Sequence, residues 1–375
     1  MTVDSDRSTV NGQRSTVLIA GGGTGGHLMP ALAIAAALRA AEPDKRIVLV
    51  GAVRGVEATL LPTRDFPYHL LPAEPIYRRQ WWRNARWPFL AVRLMREIGQ
   101  LLARERPALV IGTGGYASGP VVWAAARRGI PTAIQEQNAF PGLATRWLSG
   151  RARQIWLGVP EARRFLRVGR GTEVIDTGNP IVPPDPARRE QAQARFGIDR
   201  TRPVALVSGG SQGSVALNEA IAEVVRAGGF DEATLLWATG RGSYERFREL
   251  HRPPAIQVFD FLDPMADAYA VADVAVGRAG MMTIAELCAW GIPAILIPLP
   301  TAAADHQTGN ARVMADAGAA IHLPQGELAP GTLGSALGSL LADRTKRAAM
   351  AAQARARGRP DAGARIAALA GILSG

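Results

Sequence analysis

The chain begins the same construction twice. Thr16–Ala20 is a short β-branched run that enters Gly21-Gly22-Gly23-Thr24-Gly25-Gly26, and Val204–Val207 enters Ser208-Gly209-Gly210-Ser211-Gln212-Gly213. An Ala/Leu-rich stretch follows each turn. A strand, a glycine turn and a helix open a Rossmann-like half, so the repeat predicts two such domains. Further runs at Ile47–Val50, Ala108–Ile111, Thr132–Ile134, Leu235–Ala238, Val274–Val276 and Ala294–Ile297 alternate with helical stretches. That alternation argues for an α/β fold with parallel sheets and helices on both faces. The window Gly178 to Pro186 holds four prolines, which excludes a helix or a central strand and marks a linker. The expected organisation is a tail at 1–14, an N-terminal domain at 15–180 and a C-terminal domain at 181–360. A last helix at about 361–375 is expected to pack back on the N-terminal domain. At 375 residues the chain exceeds what one hydrophobic core usually holds. Two sheets facing each other would put the carboxyl ends of their strands, and the glycine turns, along one cleft.

Composition narrows the setting. Cys288 is the only cysteine, so no internal disulfide framework exists and a reducing compartment fits. The polar residues 1–14 lack the apolar core of a signal peptide and read as a disordered tail. No apolar stretch reaches the ~18 residues a membrane-spanning helix needs. The net charge of +11 suits an anionic membrane surface, nucleic acid or phosphorylated substrates, and an arginine-rich composition produces it without any partner.

Gly21, Gly23 and Gly26 satisfy G-x-G-x-x-G after a strand and before a helix, where backbone N–H groups approach a phosphate. An NAD site also wants an acid near the end of the second strand, and Val48 to Arg54 carries none. His27 follows in the first helical turn. It is either a packed histidine or, with the helix terminus disfavouring imidazolium, a neutral base for an attacking hydroxyl. Gly277 to Glu286 repeats a glycine turn before a helix. Thr283 and Glu286 are spaced as a capping box. The competing reading sets a diphosphate on the Gly280–Thr283 amides and two ribose hydroxyls on Glu286. Gly112 to Pro120 and Gln135-Glu136-Gln137-Asn138 end two further runs, and His306, Gln307 and Asn310 follow Ala294–Ile297. These are polar groups where a ligand would sit, or turns. The five histidines are scattered without paired ligand spacing, so no metal site is expected.

Together these segments resemble the MurG family, the UDP-N-acetylglucosamine:N-acetylmuramyl-(pentapeptide)-pyrophosphoryl-undecaprenol N-acetylglucosaminyltransferases of GT-B architecture. The matching pieces are GGGTGGH (21–27), GTGGYASGP (112–120), QEQN (135–138), GNP (178–180), GGSQG (209–213), FLDPM (261–265), RAGMMTIAE (278–286) and HQTGNA (306–311). The resemblance implies peptidoglycan synthesis, in which N-acetylglucosamine moves from a UDP donor to the C4 hydroxyl of a lipid-linked acceptor, lipid I, with inversion. It implies Thr24, Gly25, Gly26 and Asn138 around the donor sugar or acceptor diphosphate, and Ser211 and Gln212 on the donor. It implies Leu262 on uracil, Gly280, Met281, Met282, Thr283, Ile284, Ala285 and Glu286 on diphosphate and ribose, and Gln307 and Asn310 beside the sugar. His27 is the candidate base, with Glu136 and Tyr116 as alternatives, and no obligatory metal or other cofactor is implied. The family commonly has arginine where Val182 stands, a cation that Arg278 could replace, and histidine where Gln135 stands. Another GT-B UDP-sugar transferase with a different acceptor, or a non-catalytic sugar-nucleotide binder, would share the donor loops.

The segment Ile76 to Phe89 interleaves Trp81, Trp82 and Trp87 with Arg78, Arg79, Arg83 and Arg86. Such a mixture suits an anionic lipid surface, single-stranded nucleic acid or a packed loop. With a lipid acceptor implied, the expected site is peripheral, on the cytoplasmic face of the plasma membrane. Cell-wall or division-complex proteins are then candidate partners, and nucleic acid is not. Leu90, Leu94, Ile98 and Leu102 recur at helical spacing and read as core.

Overall fold

The computed structural model describes residues 15–75, 82, 86–210 and 212–375. The tail at 1–14, Arg79, Trp81 and Arg83 of the basic aromatic segment, and Ser211 lie outside these residues. The N-terminal half builds one sheet from β1 (Thr16–Ala20), β2 (Arg46–Ala52), β3 (Tyr68–Leu71), β4 (Leu109–Gly112), β5 (Thr132–Glu136), β6 (Gln154–Leu157) and β7 (Glu173–Asp176). Its order is β3-β2-β1-β4-β5-β6-β7, with every pair parallel. The second sheet comprises β8 (Val204–Ser208), β9 (Thr234–Ala238), β10 (Ile256–Phe259), β11 (Val274–Gly277), β12 (Ala294–Leu296) and β13 (Ala320–His322). Its order, β10-β9-β8-β11-β12-β13, is again wholly parallel.

Helices α1 (Gly25–Ala41), α2 (Glu57–Leu60), α3 (Trp87–Glu105), α4 (Ser118–Arg127) and α5 (Leu143–Leu148) accompany the first sheet. With the second go α6 (Arg188–Phe196), α7 (Val215–Arg226), α8 (Tyr244–Phe247), α9 (Met265–Val271), α10 (Met281–Trp290), α11 (His306–Asp316), α12 (Pro330–Ala342) and α13 (Arg344–Arg357). Alternation along the strands explains the layering. Leu18 and Ala20 of β1 enter one core while Val17 and Ile19 enter the core on the other face. In β8, Val204 and Leu206 face one side and Ala205 and Val207 the other. A strand buried on both faces reads as an unbroken apolar run.

The chain ends on α14 (Ala362–Ser374), which returns to the first sheet. Its Ile366, Ala367 and Ala370 share a core with Val17, Ile19 and Leu28, and Lys45 Nζ donates to Ser374 Oγ at 2.7 Å. Along α3, Leu94, Ile98 and Leu102 are buried while Phe89 and Val92 stand 82% and 73% exposed. Among the described residues no helix is long and apolar enough to cross a membrane.

Candidate active site

In each sheet the strand order reverses once, between β1 and β4 and between β8 and β11. A crevice opens at the carboxyl ends of the strands at such a reversal, and ligands of open α/β sheets bind there. The loops leaving these four strands are the glycine-dense segments at 21–26, 113–115, 209–213 and 278–280.

On the N-terminal side the loops interlock. Gly22 N–H donates to the Gly114 carbonyl at 3.4 Å, and the Thr113 hydroxyl donates to the His27 carbonyl at 2.8 Å. A Cβ on Gly115 would lie 1.8 Å from the Gly22 oxygen, and one on Gly114 2.6 Å from His27 Cδ2. Only glycine allows this approach, and Gly114 and Gly115 also hold φ of 96° and 86°. Thr24, Gly25 and Gly26 are exposed at the start of α1, which has no acid in its first turn. Its unsatisfied N–H groups and dipole therefore remain for an external anion.

His27 Nδ1 lies 3.1 Å from Thr24 Oγ1. Burial, and to a lesser degree His306 from the opposite domain, lower its pKa to about 4 against a hydrogen bond to the Gly22 backbone that raises it. The ring is thus neutral at physiological pH and can accept a proton. With His27 as the base of a catalysed reaction, kcat/KM should stay level from pH 8 down to about 5 and fall near pH 4 as the ring protonates. A bound diphosphate favours imidazolium, so the acid limb of kcat should sit higher than that of kcat/KM. An acid limb of kcat/KM at an unshifted histidine value would contradict this setting of the ring.

On the C-terminal side, α10 starts with Gly280 as its N-cap and also has no acid in its first turn. A Cβ on Gly280 or Gly210 would meet nothing within 4 Å, so open space borders both. Because the helix begins at Met281, Thr283 sits inside its first turn and cannot be the cap of a capping box. Glu286, one turn further on, accepts the Tyr269 hydroxyl at 2.9 Å. Burial raises the Glu286 pKa, opposed by that hydrogen bond, and burial beside Glu286 raises Tyr269 well above its usual value. Gln307 Oε1 accepts the Leu299 N–H at 2.9 Å. Ala304 and Asp305, just before α11, hold φ of 52°, a strained conformation for residues with side chains that recurs near ligand sites.

Two family models cover most of the chain: the glycosyltransferase family 28 N-terminal domain at residues 17–157 and its C-terminal domain at 204–366. A curated relative from Moorella thermoacetica is 39% identical over 92% of this chain and 95% of its own length. It is named UDP-N-acetylglucosamine--N-acetylmuramyl-(pentapeptide) pyrophosphoryl-undecaprenol N-acetylglucosamine transferase. The chain belongs to glycosyltransferase family 28. A Salinibacter ruber relative of the same name is 40% identical over 94% of this chain and 95% of its own. The crystal structure of Acinetobacter baumannii MurG matches with a TM-score of 0.76 at 28% identity, covering 95% of this chain and 99% of that one. The calicheamicin glycosyltransferase CalG4 matches at 0.68 with 16% identity and shows the fold alone, with 96% and 98% covered. The enzyme is therefore a glycosyltransferase of the two-domain GT-B type.

Not every expected residue of this family 28 enzyme faces open space. Glu136 is 3% exposed, and its carboxylate accepts Asn138 N–H at 3.1 Å, Asn138 Nδ2 at 3.3 Å and Gly142 N–H at 3.0 Å. It organises its own loop, which removes the reason to consider it as the base. Asn310, fully buried, donates to Asn138 Oδ1 at 3.2 Å and the Ala279 carbonyl at 3.1 Å and accepts Ala139 N–H at 3.0 Å. Asn138, which is partly exposed, and Asn310 thus join the domains. Gln135, Gln137 and Asn179 form a buried hydrogen-bonded cluster that ties the QEQN segment to the linker. Tyr116 lays its ring on Gly23. Arg278 donates to the Ile297 and Pro298 carbonyls and to Ser214 Oγ, so it tethers loops and does not replace the arginine missing at Val182.

Leu262, Met281 and Ile284 are buried. Met282, Thr283 and Ala285 are partly exposed and Gln212 is exposed. Among the described residues no group of His, Cys, Asp or Glu gathers as a metal site requires. Glu57 was missed: it lies beyond the Val48–Arg54 window searched for an acid, yet its carboxylate accepts the Gly23 N–H. The acid two residues after Gly55, at the start of a short helix, was the available signal.

Proposed function

We propose that this enzyme transfers N-acetylglucosamine from UDP-N-acetylglucosamine to the C4 hydroxyl of undecaprenyl-pyrophosphoryl-N-acetylmuramyl-pentapeptide, converting lipid I to lipid II in peptidoglycan synthesis. The observation that carries the reading is the pair of helix N-termini, α1 and α10, that open at the two switch points without acids of their own. Each can receive one diphosphate, the acceptor's on α1 and the donor's on α10. His27 takes the proton from the C4 hydroxyl as that oxygen attacks C1 of the α-linked sugar. The C1–O bond to UDP breaks from the opposite side, which leaves a β linkage. Charge growing on UDP is met by the Gly280–Thr283 amides and the 208–213 loop, aimed in advance at the leaving oxygen. Glu286 holds the ribose hydroxyls, with Tyr269 fixing its carboxylate, and the Gln307 amide nitrogen reaches the sugar.

Labelled N-acetylglucosamine should pass from its UDP donor to a soluble, short-chain lipid I analogue, with a β linkage and in the presence of EDTA. No transfer would overturn the reading. Transfer only on adding a divalent cation would overturn its metal-free leaving-group stabilisation.

The acceptor's lipid implies docking on the cytoplasmic leaflet. Trp82, Phe89 and Val92 are exposed at the α3 end of the N-terminal domain, and Leu143 and Trp147 are exposed on α5. Trp87 is only partly exposed, with its indole N–H buried, so it serves packing more than docking. Exchanging Trp82, Phe89 and Val92 for Ser should weaken binding to anionic vesicles and spare transfer to the soluble analogue. Each nearby arginine contributes about 1 kcal/mol at such a surface, so wild-type binding should fall with salt. Unchanged vesicle binding by a folded variant would place the docking face elsewhere.

A further inference from the structure

Glu57 begins α2 just after β2, and its side chain is completely buried. Oε1 accepts the Gly23 N–H at 2.6 Å and the Ala52 N–H at 3.0 Å, which ties the end of β2 to the loop leaving β1. Oε2 is buried with no hydrogen-bond partner. A buried carboxylate oxygen without a donor costs free energy, so stability alone does not account for an acid at this position.

The chain makes room for it. A Cβ on Gly22, Gly51 or Gly55 would come within 1.9, 2.3 or 2.2 Å of its side-chain atoms. The β1 loop and the β2–α2 connection therefore both carry no side chain where the carboxylate lies. On the other side of the loop, a Cβ on Gly23 would lie 2.5 Å from the Tyr116 ring. Gly23, at φ 94°, is held between Tyr116 and Glu57 with its N–H turned into the protein. The α1 N-terminus and His27 follow directly, and their place in the cleft depends on where that loop is pinned.

We propose that Glu57 is a positioning residue for the transfer: it pins the Gly21–Gly26 loop and through it orients the α1 N-terminus and the His27 ring toward the acceptor. The proposal rests on the reading of His27 as the base. Misplacing a reacting group by 1 Å can cost on the order of 10²-fold in rate, and that is the loss expected in kcat for Glu57→Ala.

The test uses the full-length enzyme, UDP-N-acetylglucosamine and a soluble lipid I analogue. Glu57→Ala should lower kcat per folded molecule by about 10²-fold while leaving the donor KM unchanged, because the donor rests on the other domain. Glu57→Gln, whose carbonyl can still accept both N–H groups, should recover most of kcat. Combining Glu57→Ala with His27→Ala should cost little beyond His27→Ala, since groups acting as one unit are not additive. If Glu57→Ala fails to fold, Gly55→Ala displaces the carboxylate without removing it and should show the same split between kcat and KM. A lower melting temperature with unchanged kcat per folded molecule would overturn the proposal. So would additive losses in the double variant, or no recovery with glutamine. Absence of transfer by the wild type, or full turnover by His27→Ala alone, would refute the reading of the site instead, and those controls separate the two failures.

Discussion

His27→Ala is expected to cut kcat by about 10²–10⁴-fold, the range a positioned general base supplies, with UDP affinity close to the wild-type value. The separation follows from geometry: His27 lies at the start of α1 in the first domain, whereas the terminus of α10 proposed for the donor diphosphate belongs to the second. Removing the ring also uncovers the face of Gly114 against which it packs, so His27→Gln is the useful companion. It restores bulk without a basic nitrogen and should remain slow. Single-turnover transfer to the soluble lipid I analogue, with UDP binding measured by calorimetry, reads both quantities. Full turnover in either variant would remove His27 from the chemistry.

Glu286→Ala should raise the donor KM by about 10–10²-fold, since two ribose hydroxyls left unpaired in a closed site cost about 1–3 kcal/mol. The melting temperature should fall as well, for a reason unrelated to helix capping. Tyr269 is 7% exposed and donates to Glu286, and the alanine variant leaves that hydroxyl without its acceptor. Glu286→Gln separates the two effects. Its carbonyl can keep the Tyr269 bond and so the melting temperature, while the loss of a charged acceptor should still weaken donor binding. A normal donor KM in Glu286→Gln would assign the residue to Tyr269 alone.

The strands at the centre of each sheet were legible because burial on both faces demands apolar runs, as in Thr16–Ala20 and Val204–Ser208. Edge strands gave weaker signals. Tyr68–Leu71 and Glu173–Asp176 are partly exposed, so their side chains need not be apolar, and Ala320–His322 is only three residues long. Gly21, Gly22, Gly114 and Gly115 stood out because close approach there tolerates nothing larger.

Side-chain duties were harder to separate. A clasp between domains and a hydrogen bond to a sugar call for the same amides, so Asn138 and Asn310 read alike in either role. Thr283 and Glu286 have capping-box spacing, and only the helix start at Met281 shows that they do not form one. The environment of Glu57 is assembled from Gly51 and Gly55, its near neighbours in the chain, and from Gly22, and nothing local announces that Gly22 converges on it.

The placement of α14 bears on how the protein is made. The domain begun by the first strand receives part of its core from Ile366, Ala367 and Ala370 of the thirteen-residue α14. Domains commonly fold as they leave the ribosome, first segment first, but here part of the apolar face of the earliest sheet stays uncovered until α14 has been made. The second domain can fold before the first is complete, and a nascent chain stalled near its end would present Val17, Ile19 and Leu28 to chaperones. Loss of a few C-terminal residues would then damage the half of the enzyme that was translated first.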